Sequence, residues 1–216
     1  MKKEKTFGDC TLTFLEETFG LEELDTLPSL EKWLEGEAKL EEWEKIPLEK
    51  LRDLLKFNVH DWNEQELDMN FIGPLFSLVN FSSKKHNLFA QRKIEGTIDG
   101  WLLHGAPDNM IASGRRQPKV PYFAFQEYKK KNPDSYRDKG DPKAQALAAM
   151  LVGQSQNQEN LPIYGCYVIG QDWEFMVLKG KKFAQSVDYS AITDSIFDIY
   201  RILKVLKQIV GERVKV

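Results

Sequence analysis

Cysteine and histidine are scarce in this chain, and their scarcity excludes several kinds of site. The 216 residues include two cysteines, Cys10 and Cys166, and three histidines, His60, His86 and His104. Neither cysteine belongs to a Cys-x-x-Cys pair, so the ligand pattern of a structural zinc site is missing. Two cysteines so far apart in the sequence predict a reduced, cytoplasmic protein.

Long apolar runs are missing as well. No stretch approaches the roughly 20 apolar residues that a membrane-spanning helix needs, and residues 1–6 lack the apolar segment of a secretion signal. The sequence contains no P-loop and no nucleophilic Ser or Cys in a recognisable setting. We therefore expect one domain, alone or with a helical appendage, and no membrane partner.

Charge is divided unevenly along the chain. Residues 1–70 hold 9 Lys/Arg and 19 Asp/Glu, whereas residues 71–216 hold 21 and 14, within a net charge of −3. A basic second part is typical of a phosphate-binding face. The simpler alternative is a solvated acidic region that precedes a mildly basic domain. The predicted division is an acidic helical region, 1–58, packed on a domain of residues 59–216.

The acidic region is predicted to be helical over 9–20, 28–45 and 47–57. Pro47 suits the first position of the third helix. The second helix has an apolar stripe at helical spacing, made of Leu30, Trp33, Leu34, Leu40 and Trp43. The charged residues between them, up to Glu44, predict a solvated face. The sequence of this region contains no candidate catalytic residue. We expect the region to cover one side of the sheet or to make a dimer contact.

Two later segments place charge inside apolar strands. The segment 96–103 carries Asp99, and the segment 122–129 carries Glu127 and Lys129. Buried charge is costly unless it is paired or binds a metal ion. Because alternate residues of a strand face the same side, Glu127 and Lys129 project together. Charge in this pattern indicates a chemical site.

Pairing of these two strands would bring Asp99 close to Glu127. Two carboxylates, a backbone carbonyl and waters can hold Mg²⁺, which lowers the pKa of bound water and screens the charge of a phosphate. Lys129 would position the attacking water or stabilise charge on the phosphate. The alternative is a structural ion pair between Glu127 and Lys129 in an unrelated α/β protein, with Asp99 in a turn before Gly100.

At Asp99, Glu127 and Lys129 the chain resembles the PD-(D/E)XK nuclease superfamily, which has the restriction-endonuclease-like fold. Ile98 occupies the place of the name-giving Pro, where the superfamily tolerates apolar residues. The order of predicted elements strengthens the resemblance: a helix over 63–80, strands near 87–94, 96–104 and 120–129, a helix near 142–157 and a strand over 161–169. This α-β-β-β-α-β order implies an α/β fold, a mixed sheet flanked by helices, preceded by the acidic helical region.

The resemblance also implies auxiliary residues. The first helix of the superfamily often supplies an acid to the metal site, and Glu66 is the choice here. Glu64 and Asp68 compete with it, and acids in a first helical turn also favour the helix dipole. Some members carry a Gln in the helix after the Glu-x-Lys strand, which Gln145 matches. Gln154 lies nine residues later on the opposite side of that helix.

Basic residues near these elements are candidates for contact with nucleic acid. The loop between residues 105 and 119 could clamp a phosphate backbone beside the site, and a second group follows the Glu-x-Lys strand. Such charge runs are more often solubilising than functional. The candidates are Arg115, Arg116, Lys119, Lys130 and Lys131.

The function that follows is a Mg²⁺-dependent phosphodiesterase, a DNA nuclease in which Mn²⁺ can substitute. A homodimer or a partner protein would supply specificity. The alternative is a catalytically degenerate member of the same fold that acts as a nucleic-acid-binding or protein-interaction subunit. Metal occupancy distinguishes the two, because a degenerate site keeps the fold and loses the ion.

Overall fold

A mixed sheet of eight strands, covered by helices on both faces, forms the centre of the molecule. The computed structural model describes residues 3–132, 140–157 and 161–214. The strands are β1 (Lys3–Thr6), β2 (Glu22–Glu23), β3 (His86–Ala90), β4 (Ile94–Ile98), β5 (Trp101–Gly105), β6 (Asn109–Ser113), β7 (Lys119–Lys129), β8 (Ile163–Ile169), β9 (Asp172–Lys179), β10 (Lys182–Gln185) and β11 (Tyr189–Ser190). The helices are α1 (Leu12–Phe19), α2 (Pro28–Leu34), α3 (Glu42–Asn58), α4 (Glu64–Leu67), α5 (Gly73–Val79), α6 (Pro142–Gln156) and α7 (Ser195–Arg213).

The eight-stranded sheet has the order β2-β10-β9-β8-β7-β6-β3, and β11 pairs with β9. The pairs β7–β8 and β2–β10 are parallel, and the other pairs of this sheet are antiparallel. Helix α6 makes the crossover that parallel strands require between β7 and β8. A second sheet has three strands in the order β1-β5-β4. The predicted mixed α/β sheet flanked by helices is therefore confirmed.

Helices fill both faces of the large sheet. One face packs against α2, α3, α5 and α7, and the other packs against α6 and α1. The small sheet contacts α6 from its far side, so α6 lies between two sheets. Its many alanines permit this burial, and Gly153 lies so close to the Phe125 ring that a Cβ there would clash.

The prediction of the middle strand of the core is wrong. Residues 96–104, predicted as one strand of the main sheet, contain the turn between β4 and β5, and both strands belong to the small sheet. The neighbour of β7 is β6 instead, which lies inside the segment 105–119 predicted as a loop. The predicted strands 120–129 and 161–169 and the predicted helix 142–157 correspond to β7, β8 and α6.

The predicted helix over 63–80 is a helical segment with one irregular turn. A π-helical turn (Asp68–Ile72) joins α4 to α5. Pro74 lies in the first turn of α5, directly after the irregular turn. Proline cannot donate a backbone hydrogen bond, so it predicts a kink or a restart at this point, and the helix restarts there.

The predicted helix over 28–45 is also wrong in its extent, and the error changes which side chains are buried. Helix α2 ends at Leu34, and α3 begins at Glu42 under a capping box with Glu41. The break changes the helical phase. Trp43, predicted on the apolar stripe, is 63% exposed, whereas Glu44, predicted on the solvated face, is 4% exposed. Pro47 lies inside α3.

The acidic region contributes strands as well as helices. β1 pairs with β5, and β2 pairs with β10. The Trp33 side chain is buried, and its indole N–H donates to the carbonyl of Ile202 in α7. The boundary near residue 58 stays a prediction. In the part of the chain that the structure describes, no helix is both long and apolar enough to cross a bilayer.

Glu44 joins α3 to α7. Its carboxylate accepts hydrogen bonds from Lys204 Nζ at 2.8 Å and from the Tyr200 hydroxyl at 2.7 Å. Burial alone would raise the pKa of Glu44, but these bonds and one from the Glu41 N–H outweigh it and hold the pKa below its ordinary value of 4.5. Glu44 therefore stabilises the fold above this pH, and the stabilisation is lost as the pH falls.

Replacing Glu44 by Gln should destabilise the protein, because Lys204 would lose its buried counter-ion. We expect the free energy of unfolding to fall by about 2–4 kcal/mol at pH 7, and the loss to shrink as the pH falls below the ordinary range of a Glu carboxyl and Glu44 takes up its proton. Urea unfolding at pH 7 and at successively lower pH measures this. The control is Glu42→Gln, because that side chain is 87% exposed. Equal effects of the two substitutions would contradict the role given to Glu44.

Candidate functional site

The end of β7 carries a buried ion pair. Phe125 packs on the α6 side of the sheet, and Glu127 and Lys129 follow on that side by strand alternation. The Glu127 side chain is 9% exposed, and Lys129 Nζ donates to its Oε1 at 2.9 Å. Tyr128 points to the opposite face, where its buried hydroxyl accepts a hydrogen bond from Asn109. An acid and a base thus stand side by side at a strand end, the kind of place where ligands commonly bind.

Asp108 reaches the same place from the neighbouring strand. It directly precedes β6, and the antiparallel register pairs Asn109 with Gln126. Asp108 therefore lies beside the end of β7, where its Oδ2 accepts a 2.7 Å hydrogen bond from the Tyr128 N–H. The residue before it is the buried Pro107. The segment Pro107–Asp108 and the Glu127–Lys129 segment are thereby held together by the sheet.

A third carboxylate approaches from α4. Glu64 Oε1 lies 3.8 Å from Lys129 Nζ, so Lys129 stands between Glu64 and Glu127. An open cleft of about 520 Å³ adjoins this group. Its lining is rich in acid and amide groups and consists of Glu64, Gln65, Asp68, Ala90, Gln91, Asp108 and Tyr128. The cleft gives a ligand access to Asp108 and Glu64.

The surroundings of the acids at this site disfavour their ionised form. Burial, and next the charge of Asp108, raise the pKa of Glu127 from 4.5 to about 7. Burial also raises the pKa of Asp108, although the hydrogen bond from Tyr128 and the charge of Lys129 oppose the increase. A site with this excess of negative charge favours a bound cation.

Lys129 remains protonated. Burial alone would lower the pKa of its ammonium group, but the charges and the hydrogen bond supplied by Glu127, with the charges of Glu64 and Asp108, raise that pKa above its usual range. Lys129 therefore donates hydrogen bonds and supplies positive charge. A proton on Glu127, by contrast, is available to exchange near neutral pH.

Asp99 does not approach Glu127. It is exposed in the two-residue turn between β4 and β5, where Asp99 and Gly100 have φ of 47° and 82°. Asp-Gly is the residue pair that such hairpin turns favour, because both positions need positive φ. The turn belongs to the small sheet, so the predicted pairing of this strand with β7 is wrong. The structure places Asp99 in a turn, as the alternative interpretation held.

Glu66 is engaged at the start of α4. Its carboxylate accepts a hydrogen bond from the Asn63 N–H at 2.9 Å, and the Asn63 side chain accepts one from the Glu66 N–H. This reciprocal pair is a capping box. Of the two competing acids, Glu64 contacts Lys129, and Asp68 lines the cleft with a pKa raised by burial.

The structure brings Gln145 to the site. Its side chain is buried near the start of α6, and the backbone of Gly140 passes beside it. A Cβ on Gly140 would clash with Nε2 of Gln145 and would contact Cε of Lys129. Gln154 lies elsewhere, because its amide makes two 2.8 Å hydrogen bonds with the backbone of Gly180.

The basic residues fall into two groups at opposite ends of β7. Arg115, Arg116 and Lys119 lie before or at its start, whereas the acids lie at its end. Eight strand residues separate these ends by about 25 Å, so the predicted clamp beside the site is wrong in its location. Lys131 lies near the site, but its Nζ makes a 2.6 Å ion pair with Asp172. Lys130, directly after β7, is half-buried.

The donor set fits an ion bound by few protein ligands. Asp108 and Glu127 interact electrostatically and offer carboxylate oxygens, and Mg²⁺ is usually bound through one or two carboxylates together with waters and phosphate. Among the residues that the structure describes, no three His, Cys, Asp or Glu side chains are already grouped to hold an ion. An all-protein cage is therefore not what these residues form.

Sequence reasoning missed Asp108, although a signal was present. Pro107 and Asp108 reproduce the Pro-Asp pair of the motif literally, and the apolar residues 110–112 follow after Asn109. The short strand β6 escaped prediction because the surrounding residues, 105–119, are rich in Gly, Pro and charge. No protein-family model matches the chain, and no curated protein matches it at a significant level. The arrangement of these side chains therefore carries the functional inference.

The pKa of Glu127 predicts an unusual dependence of stability on pH. Between pH 4.5 and about 7 the folded protein holds a proton that the unfolded chain has lost, so stability falls as the pH rises. Glu127→Gln removes this effect, and Lys129 keeps Glu64 and Asp108 as counter-ions. We expect the variant to be more stable than the parent by about 2–3 kcal/mol at pH 8 and equal to it at pH 4.

Denaturant unfolding of both proteins across this pH range tests that expectation. Asp99→Asn is the matched control, because Asp99 is an exposed carboxylate and should show no such difference. A Glu127→Gln variant that is less stable than the parent at pH 8 would mean that Glu127 contributes mainly through its ion pair.

Proposed function

We propose that the chain is a Mg²⁺-dependent phosphodiesterase of the PD-(D/E)XK type that acts on nucleic acid, with DNA as the expected substrate. One observation carries the proposal. Asp108, preceded by Pro107, and the pair Glu127 and Lys129 meet at the ends of two adjacent strands. Burying two acids and a lysine beside one another lowers the stability of the fold. Phosphodiester hydrolysis is a reaction that uses this set of groups.

The order of elements supports the same proposal. The helical segment of α4 and α5 is followed by β3, β6, β7, α6 and β8, which is the α-β-β-β-α-β order of the restriction-endonuclease-like core. The strands β3, β6 and β7 are consecutive antiparallel neighbours, and β8 is parallel to β7. The hairpin of β4 and β5 is then an insertion between the first two core strands.

The proposed roles follow from charge and position. Asp108 and Glu127 would hold Mg²⁺, which supplies positive charge against the phosphate and lowers the pKa of water. Lys129, which stays protonated, orients a water molecule and stabilises negative charge on the phosphate. Glu64 contacts Lys129, and Gln145 lies near it across Gly140, so we assign both the role of positioning Lys129. Since a proton competes for Glu127, metal affinity should rise with pH up to about 7.

The second candidate is a degenerate member of the same fold that binds nucleic acid or protein without catalysis. The observation that favours it is the direct 2.9 Å pairing of Lys129 with Glu127, which occupies an acid that the ion would need. In a degenerate site this pair would persist when metal is offered. Metal binding therefore separates the two candidates.

Calorimetric titration with Mn²⁺ and Mg²⁺ tests the metal site without a substrate. We expect the parent protein to bind, and Asp108→Asn and Glu127→Gln to lose at least tenfold in affinity because each removes a charged ligand. Asp99→Asn should bind like the parent. Equal binding by the parent and Asp108→Asn would remove Asp108 from the site. If the parent alone shows no binding, the titration is repeated with a non-hydrolysable DNA present.

Cleavage of plasmid and single-stranded circular DNA tests the activity itself. We expect Lys129→Met to lower the cleavage rate by about 100-fold or more, because it removes a charge that stabilises the transition state. The same variant should retain Mn²⁺ binding, because Lys129 is not a ligand. Lys119→Met, at the other end of β7, is the control and should keep its cleavage rate. An inactive parent that binds metal in the presence of DNA would support the degenerate alternative.

A further inference from the structure

Helix α3 presents apolar side chains to solvent over its whole length. Four large residues form this α3 stripe, and their exposed fractions are 63% for Trp43, 60% for Ile46, 43% for Leu54 and 84% for Phe57. Spacings of three, eight and three residues place them on one side of the helix. The buried residues Leu48 and Leu55 lie on another side, facing the core. A row of large exposed apolar side chains along one side of a helix indicates an interaction site.

An apolar groove runs along one border of the stripe. It lies between α3 and α5, has a volume of about 500 Å³, and is lined mainly by Pro47, Leu51, Leu54, Pro74 and Leu78. Leu54 belongs to both the stripe and the groove. The apolar surface is therefore wider than a single helix face, and it offers a place where side chains of a partner can insert.

The stripe is symmetric about Lys50. Trp43 and Phe57 lie seven residues on either side of it, and Ile46 and Leu54 lie four residues on either side. A helix that packs antiparallel against a copy of itself, with Lys50 on the two-fold axis, would place Trp43 against the partner's Phe57 and Ile46 against the partner's Leu54. A two-fold interface needs this self-complementarity, because the same patch is used on both subunits.

The distribution of charge along α3 also favours antiparallel pairing. Before Lys50, α3 carries three acids, Glu42, Glu49 and the buried Glu44, with one base; after Lys50 it carries two bases with one acid. These charges lie mostly along the other border of the stripe. Antiparallel pairing would bring the acidic half of one helix to the basic half of the other, and Glu42 would approach the partner's Lys56. Parallel pairing would instead set like charges together.

We propose that the α3 stripe is the interface of a two-fold homodimer in which the α3 helices of two copies of this chain pack antiparallel. The Lys50 side chains lie at the axis, where their apolar stems cover the interface and their ammonium groups reach solvent. The proposal rests on the shape, symmetry and charge of α3, and it is independent of the phosphodiesterase activity. The failure of either proposal leaves the other in place.

Sedimentation velocity over a range of concentrations tests the proposal. The parent protein should form dimers, and Phe57→Ser should shift the dissociation constant at least tenfold upward, because it removes the most exposed side chain of the stripe. Val187→Ser is the matched control: Val187 is 77% exposed but lies between β10 and β11, so dimerisation should not change. A parent that stays monomeric at all concentrations overturns the proposal, as does a dimer that Phe57→Ser leaves intact.

A charge exchange tests the antiparallel arrangement. Glu42→Lys and Lys56→Glu should each weaken the dimer, because each turns two symmetric attractions into repulsions. The double variant restores opposite charges across the interface, and we expect its dissociation constant to return to within about threefold of the parent's. Both positions lie on an exposed border, and circular dichroism checks that each variant keeps its fold. A double variant weaker than both single variants would overturn the arrangement.

A cysteine on the axis gives an independent test. Lys50→Cys should form a disulfide-linked dimer on mild oxidation, because two-fold pairing places residue 50 opposite itself. Cys10 and Cys166 are buried and do not interfere. Lys39→Cys, exposed outside the stripe, is the control and should stay uncrosslinked. Equal crosslinking of both variants would indicate random collision and would contradict the proposed axis.

Discussion

The pairing of β6 with β7 is the constraint on which the candidate site depends. Its register sets Asp108 beside the last residues of β7, and the hydrogen bond from the Tyr128 N–H holds the Asp108 carboxylate there. Strand alternation then turns Glu127 and Lys129 toward α6, where the helix and Gly140 close over them. A shift of one residue in this register would leave Asp108 facing the opposite side of the sheet from Glu127 and Lys129.

The same arrangement has a cost in stability. Ionising two carboxylates that are buried beside one another costs free energy. The raised pKa of Glu127 reflects this cost. The rest of the molecule must supply the difference, and α6 between its two sheets and the Glu44 link between α3 and α7 are among the contributors. Functional sites commonly carry strain or charge that the surrounding fold supports.

Much of the fold follows from patterns that the sequence displays. The mainly apolar strands β7 and β8 and the alanine-rich α6 were predictable because composition and length agree with one structure. The short elements were not: β6 and the break before α3 depend on register and on capping, which periodicity does not report. The residues of the candidate site differ in the same way in how well they could be predicted. Glu127, Lys129 and Gln145 are recognisable by their place in long elements, whereas Asp108 required knowledge of which strand lies beside β7, and Asp99 occupies a turn.

The first strand of the chain pairs with a strand that is made much later. β1 is parallel to β5, so Lys3 stands opposite Trp101, with nearly half the chain between them. β4 and β5 are joined by a two-residue turn and can form a hairpin within microseconds, but β1 can join only after a long loop has closed. During synthesis the N-terminal strand therefore leaves the ribosome without a partner and waits until residue 105 has emerged. The small sheet is completed from its edge, late in folding, by a strand that is synthesised long before its partner.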